Sequence, residues 1–263
     1  MDSAYLSAGG NSVESETAVA EASRLVEAAQ KAGITLRVMG ACAFRIHCPK
    51  FGGLYESLAR SVTDIDLVSY SVYNGKMKPF FDSQGYASDA RIIALFGRER
   101  HQYLHPDETL KVDVFFDRLA MNHTVDFKDR LELDSPTITL ADLFLEKLQI
   151  VELTEKDIKD TMVLLREHAI GDSENEMINA RYIAKTMAED WGFWYTVTTN
   201  LDKVQEYLNS VTVLSEEDKA LVSKRLGEIR TAIDTESKSM KWKMRSRVGP
   251  KKKWYNEVET VVR

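Results

Sequence analysis

The feature that most restricts the fold of this 263-residue chain is a change in the spacing of its apolar residues near Pro136. After it, Leu140 to Leu153, Glu155 to His168, Glu176 to Glu189 and Glu216 to Ser237 all carry apolar residues at helical intervals, and strand signals nearly vanish. Before it, short apolar or alternating runs are broken by glycine and proline. A period of 3.6 and a period of 2 bury different faces, so the two halves need different architectures. The chain is therefore expected to be α+β: a mixed β-sheet flanked by helices over residues 1–135, then a helical domain over 136–263. The length exceeds one average domain, and 44% apolar residues suffice for a core in each half.

Residues 1–11 are small and polar, which predicts a frayed start. A helix is expected from Val13 to Ala32, with Ser12 as cap, Glu14 and Glu16 at its positive end and Gly33 as its stop. Thr35 to Met39 reads as a strand ending at Gly40, and Ala41 to His47 as a helix opening directly out of it. Asp64 to Tyr70 reads as a second strand, and Met77 to Gln84 as a short helix ended by Gly85. Two apolar or alternating segments follow, Arg91 to Phe96 and Arg100 to His105. A turn at Pro106 and Asp107 then leads into a strong strand from Leu110 to Phe116.

Asp64 and Asp66 carry the chemistry of this half. On a strand, residues two apart lie on one face, so both carboxylates stand side by side while Ile65 and Leu67 point the other way. Like charges so placed repel, and a strand gains nothing from them unless a cation lies between. Mg²⁺ suits the arrangement, because it takes oxygen ligands and typically uses one or two carboxylates plus substrate phosphates. A strand-end surface pair is the plainer alternative. Asp113 sits in mid-strand among Val112, Val114 and Phe115, where a lone charge would cost several kcal/mol. It needs either a bound cation or a neighbouring Arg or Lys. In Val38-Met39-Gly40-Ala41-Cys42-Ala43, small residues at a strand-to-helix turn would let backbone N–H groups approach a phosphate.

These three pieces together resemble the nucleotidyltransferase superfamily, whose pattern is a glycine turn after a strand, Asp-x-Asp on the next strand and a later acidic residue. The resemblance covers about residues 34–117. The run from Arg60 to Leu67 is similar to that of the abortive-infection and toxin-antitoxin branch, as are Leu143 to Gln149 and Lys156 to Asp160 in the helical half. It implies a nucleotidyltransferase-fold sheet and transfer of a nucleoside monophosphate from a nucleoside triphosphate, ATP among them, to an acceptor hydroxyl, with release of pyrophosphate. It also implies Mg²⁺ or Mn²⁺ on Asp64, Asp66 and Asp113, two ions about 3.5–4 Å apart clamping the attacking and leaving oxygens. Nucleotide contacts would fall to Gly40, Ala41, Cys42, Arg60, Lys147 and Asp157. Ala41 departs from the pattern, which commonly has Gly or Ser there, so a side-chain hydrogen bond to phosphate is missing. A catalytically weak nucleotide-binding regulator or toxin-antitoxin component, with a protein partner, is the rival expectation.

Some candidates admit a second reading. Lys147 lies in a helical stripe with Leu143, Phe144, Leu148 and Val151, and either snorkels to solvent or reaches phosphate. Asp157 also suits a capping position after Thr154. The five histidines lack zinc-ligand spacing, and Trp191, Phe193, Trp194 and Tyr195 read as a packing cluster. Lys238 to Trp254 carries eight basic residues and no acidic one; taking those eight charges from a net −6 leaves −14 on the rest. A basic segment on an acidic body suggests contact with a polyanion such as RNA. Two cysteines, Cys42 and Cys48, read as buried thiols of a reducing compartment. With no secretory signal and no membrane-length apolar run, a cytoplasmic location without membrane contact is expected.

Overall fold

The computed structural model describes residues 6–51, 62, 64–107 and 110–258. They divide into two compact units: residues 1–119 with 126–139, and residues 120–125 with 140–263. The architecture is a mixed sheet flanked by helices, followed by a helical region.

The first unit opens with Leu6–Lys31 (α1), Leu36–Met39 (β1) and Gly40–His47 (α2). Helix α1 begins two turns before the expected Ser12 cap and runs through Gly9 and Gly10. Glycine costs a helix only about 1 kcal/mol relative to alanine, so two of them weaken a long helix without ending it. Its end is where the sequence puts it: Gly33 takes φ +68°, and the N–H of Ile34 donates back to the Ala29 carbonyl at 2.9 Å.

Next come Asp64–Ser69 (β2), Asn74–Ser83 (α3), Ala87–Ser88 (β3), Ala90–Phe96 (α4), Arg100–Leu104 (β4) and Lys111–Phe116 (β5). Among the described residues these strands form a five-stranded sheet in the order β1-β2-β5-β4-β3. Strands β2 and β5 are parallel, and the other neighbours are antiparallel. The free edge of β1 is covered by Pro136 to Ile138: Val38 donates to the Pro136 carbonyl and Ile138 donates to Val38. One sheet face is apolar, with Leu36, Val38, Ile65, Leu67, Tyr103, Val112 and Val114 buried. Helices α1 and α2 pack on β1 and β2, and Phe81 of α3 stacks on Tyr103 at 3.9 Å.

The chain passes between units in a hairpin, Arg118–Ala120 (β6) and Thr124–Asp126 (β7). The second unit contains Leu140–Leu148 (α5), Glu155–Glu167 (α6), Ala169–Gly171 (β8), Met177–Asn179 (β9), Ala180–Glu189 (α7), Trp191–Ser210 (α8), Glu216–Thr235 (α9) and Met240–Ser246 (α10). The expected helix 140–153 stops at Leu148, because Asn200 of α8 donates to the carbonyls of Leu148 and Ile150. The expected helix 176–189 gives up its first residues to β9, and Asn179 caps what remains by accepting from the N–H of Tyr182. No helix among the described residues is long and apolar enough to cross a membrane.

Candidate functional site

The site face is the polar side of the sheet. In the β2/β5 register Asp64 lies opposite Lys111 and Asp66 opposite Asp113. Strand β4 continues the row, with Gln102 opposite Asp113 and Arg100 opposite Phe115. Directly opposed residues point to the same side, so Asp64, Asp66, Lys111, Asp113, Arg100 and Gln102 share one face. Carboxylates 47 residues apart in sequence are thus cross-strand neighbours. Asp64 and Asp66 are half-buried, and Asp113 is buried.

Gly40 links the turn to this row. Met39 pairs with Asp66, and the next residue takes φ +64°, a left-handed conformation that favours glycine. A Cβ built on Gly40 would lie 2.5 Å from Oδ2 of Asp66, closer than real side chains approach. The backbone at the start of α2 is therefore pressed against this carboxylate. Cys42 is buried, and its Sγ lies 3.8 Å from the Asp64 carbonyl, tying α2 to the start of β2. Ala41 is half-buried on the same turn.

Asp113 is held differently. Its Oδ1 accepts from Arg100 Nε at 3.1 Å and Gln102 Nε2 at 2.8 Å, with Arg100 Nη2 also at 2.8 Å. Its Oδ2 lies 3.2 Å from Lys111 Nζ. The buried charge is met here by two side-chain cations. Sequence reasoning named the alternative but not the partners; Lys111, two residues before Asp113 on one strand, was the legible one. Arg100 and Gln102 come from β4, and only the strand order brings them in. Among the described residues no group of three or more His, Cys, Asp or Glu side chains could hold a metal ion.

The remaining candidates lie elsewhere. Arg60 falls outside the described residues. Lys147 and Asp157 meet in the second unit. The Lys147 ammonium does not snorkel: its side chain is 10% exposed and lies 3.3 Å from Asp160, 3.5 Å from Asp157 and 4.0 Å from Glu146. Asp157 completes a capping box: its carboxylate accepts from the Thr154 N–H and hydroxyl, and the Asp157 N–H donates to the Thr154 hydroxyl oxygen.

In the basic segment the aromatic residues face inward. Trp242 packs edge-on to Trp194 at 5.1 Å and Trp254 edge-on to Tyr195 at 5.0 Å, while Arg245 lies 4.5 Å above Trp191. Their rings serve packing, as the Trp191 to Tyr195 cluster was expected to do. Lys241, Lys243, Arg247, Lys251, Lys252 and Lys253 remain exposed.

No protein-family model matches the chain, and no curated protein matches it in sequence. Among solved structures it is similar to an antigenic nucleotidyltransferase-like protein from Paracoccidioides brasiliensis, at 15% identity over 86% of this chain and 95% of that one, with a TM-score of 0.40. That is a distant structural likeness, and it carries no argument about this chain's reaction.

Proposed function

We propose that the protein is a metal-dependent nucleotidyltransferase that moves a nucleoside monophosphate from a nucleoside triphosphate to an acceptor hydroxyl and releases pyrophosphate. Residues 1–135 would form the catalytic domain and residues 136–263 a helical domain with a basic segment. The observation that carries this reading is the juxtaposition of Asp64, Asp66 and Asp113 on one sheet face with the left-handed Gly40 turn pressed against Asp66.

Asp64 and Asp66 would hold Mg²⁺ or Mn²⁺; two carboxylates with substrate phosphates are an ordinary set for such a cation. Bound there, the metal would supply charge neutralisation for the triphosphate. The backbone N–H groups of Gly40, Ala41 and Cys42 at the start of α2 would donate to phosphate oxygens, and Arg60 would add a guanidinium. Lys147 is given no phosphate in this reading, because carboxylates already surround its ammonium, and Asp157 is committed to its helix cap. The exposed lysines of residues 238–254 favour RNA as the acceptor over a protein side chain or a small hydroxyl compound.

The test is incubation of the full chain with each α-labelled nucleoside triphosphate, Mg²⁺ or Mn²⁺, and cellular RNA or protein extract, beside Asp66→Asn. Label is expected in one macromolecular fraction, with one base, and only from the wild type. Equal labelling by Asp66→Asn would overturn the mechanism.

A second reading, a nucleotide-binding regulator or toxin-antitoxin component with little or no transfer, is favoured by one observation. The Asp113 carboxylate is already engaged by Arg100, Gln102 and Lys111. That reading expects nucleotide binding with no label transferred.

A further inference from the structure

Three aspartates clamping two divalent ions would need Asp113 to offer an oxygen, and the residues present do not fit that arrangement. The Asp113 side chain is 5% exposed, whereas Arg100 and Lys111 are 30% and 29% exposed, so the anion is covered and its two cations face outward. Arg100 is fixed from a second direction, with its guanidinium carbon 5.4 Å from the centre of the Phe115 ring. Gln102 fixes the carboxylate from the other strand. A divalent ion arriving at Asp113 would have to displace Lys111 or Arg100 and then sit beside both positive charges. The charge count makes displacement unnecessary. One arginine, one lysine and one aspartate sum to +1, the same as a divalent cation on an aspartate.

We propose that Arg100 and Lys111 stand in for the second divalent cation, so that the site takes one Mg²⁺ or Mn²⁺ per nucleoside triphosphate and meets the remaining phosphate charge with side chains. This rests on the nucleotidyltransferase reading and names how its phosphate site is built. Asp113 is then a positioning residue. It orients two cations whose spare donors, Nη1 of Arg100 and two N–H bonds of Lys111, serve phosphate oxygens. Lys111 lies opposite Asp64 in the strand register, so its side chain leaves β5 on the sheet face that carries Asp64 and Asp66.

The experiment counts metal and measures anion binding without it, using the full chain. Mn²⁺ is titrated against protein with a non-hydrolysable α,β-methylene nucleoside triphosphate, and bound Mn²⁺ is read by electron paramagnetic resonance; one Mn²⁺ per bound nucleotide is expected. In EDTA, tripolyphosphate binding is followed by calorimetry. The wild type is expected to bind, Lys111→Arg to bind within about threefold of it, and Lys111→Met about tenfold more weakly, the loss of one charge-assisted contact. If Lys111→Met does not fold, the Mn²⁺ count and the wild-type binding in EDTA still decide. Two Mn²⁺ per nucleotide, or tripolyphosphate binding unaffected by Lys111→Met, overturns the substitution of side chains for metal and leaves the nucleotidyltransferase reading standing. Failure of the wild type to bind any of the four nucleotide analogues, with or without Mn²⁺, overturns both.

Discussion

Gly40 concentrates at one residue what the site requires of the backbone. Its left-handed φ costs any L-residue about 1–2 kcal/mol, and a methyl group there would collide with the carboxylate of Asp66. Gly40→Ala is therefore expected to lower the stability of the chain by about 2 kcal/mol in urea unfolding and to abolish Asp66-dependent labelling. Retention of both stability and labelling would show that the turn is tolerant and the close approach incidental. The glycine was legible in the sequence as a small-residue turn before a helix. Its contact with Asp66, 26 residues later, was not, because nothing local says which strand lies beside β1. Asp113 repeats the lesson with charge. Its need for a counter-ion could be read from its apolar neighbours, whereas Arg100 and Gln102 became its partners through pairing of β4 with β5.

At the scale of elements, helices α5 and α6 carry a buried ion cluster where the sequence offered a snorkelling lysine. Every residue of α5 is buried, including Asp142, Glu146 and Lys147. The Lys147 ammonium stays within the protein and is matched by Asp157 and Asp160 of α6. Removing one partner of a buried pair leaves an uncompensated charge, so Lys147→Met is expected to cost about 3 kcal/mol, and Lys147→Arg clearly less. Urea unfolding of both variants checks this, and a cost near zero for Lys147→Met would mean that the carboxylates share protons or other donors. Helices α4, α8 and α10 escaped the periodicity reading. Residues 90–96 are too short and too apolar to display a face, and α4 is set by Asp89, whose side chain accepts from the N–H groups of Arg91 and Ile92. In α8, aromatic residues and the run from Thr196 to Thr199 weaken helix propensity. Packing outweighs it: Trp191, Phe193, Val197, Leu201, Val204 and Leu208 are all buried.

For the whole molecule, stability should depend on pH through a histidine in the second unit. His123 is buried, stacked on Phe193 at 5.0 Å, with Nε2 2.8 Å from Thr196 Oγ1, which also accepts from Trp254 Nε1. Burial lowers its pKa to about 4 from the ordinary 6.5, with Asp190 acting weakly in the opposite direction. Between those values the unfolded chain binds a proton that the folded chain does not. The stability associated with neutral His123 is thus fully present above pH 6.5 and is lost as pH falls toward 4, by about 3 kcal/mol at most. Urea unfolding at pH 7.5, 5.5 and 4.5 is expected to be steeper in pH for the wild type than for His123→Gln; identical pH dependence would refute the assignment. The charge segregation of the chain is a property of composition and needed no structure to see. By itself the sequence determined that a sheet-bearing half precedes a helical one, that Asp64 and Asp66 share a strand face, and that a basic segment follows an acidic body. The first two depend on the period of side chains along a strand or helix, which is a local quantity, and the third on charge content alone. Tertiary structure alone decided that Asp113 lies beside Asp66, that Arg100 and Gln102 hold it from the neighbouring strand, that Lys147 is buried among acids and that the tail tryptophans face inward. Each is a contact between segments distant in sequence, set by which surfaces must leave water together.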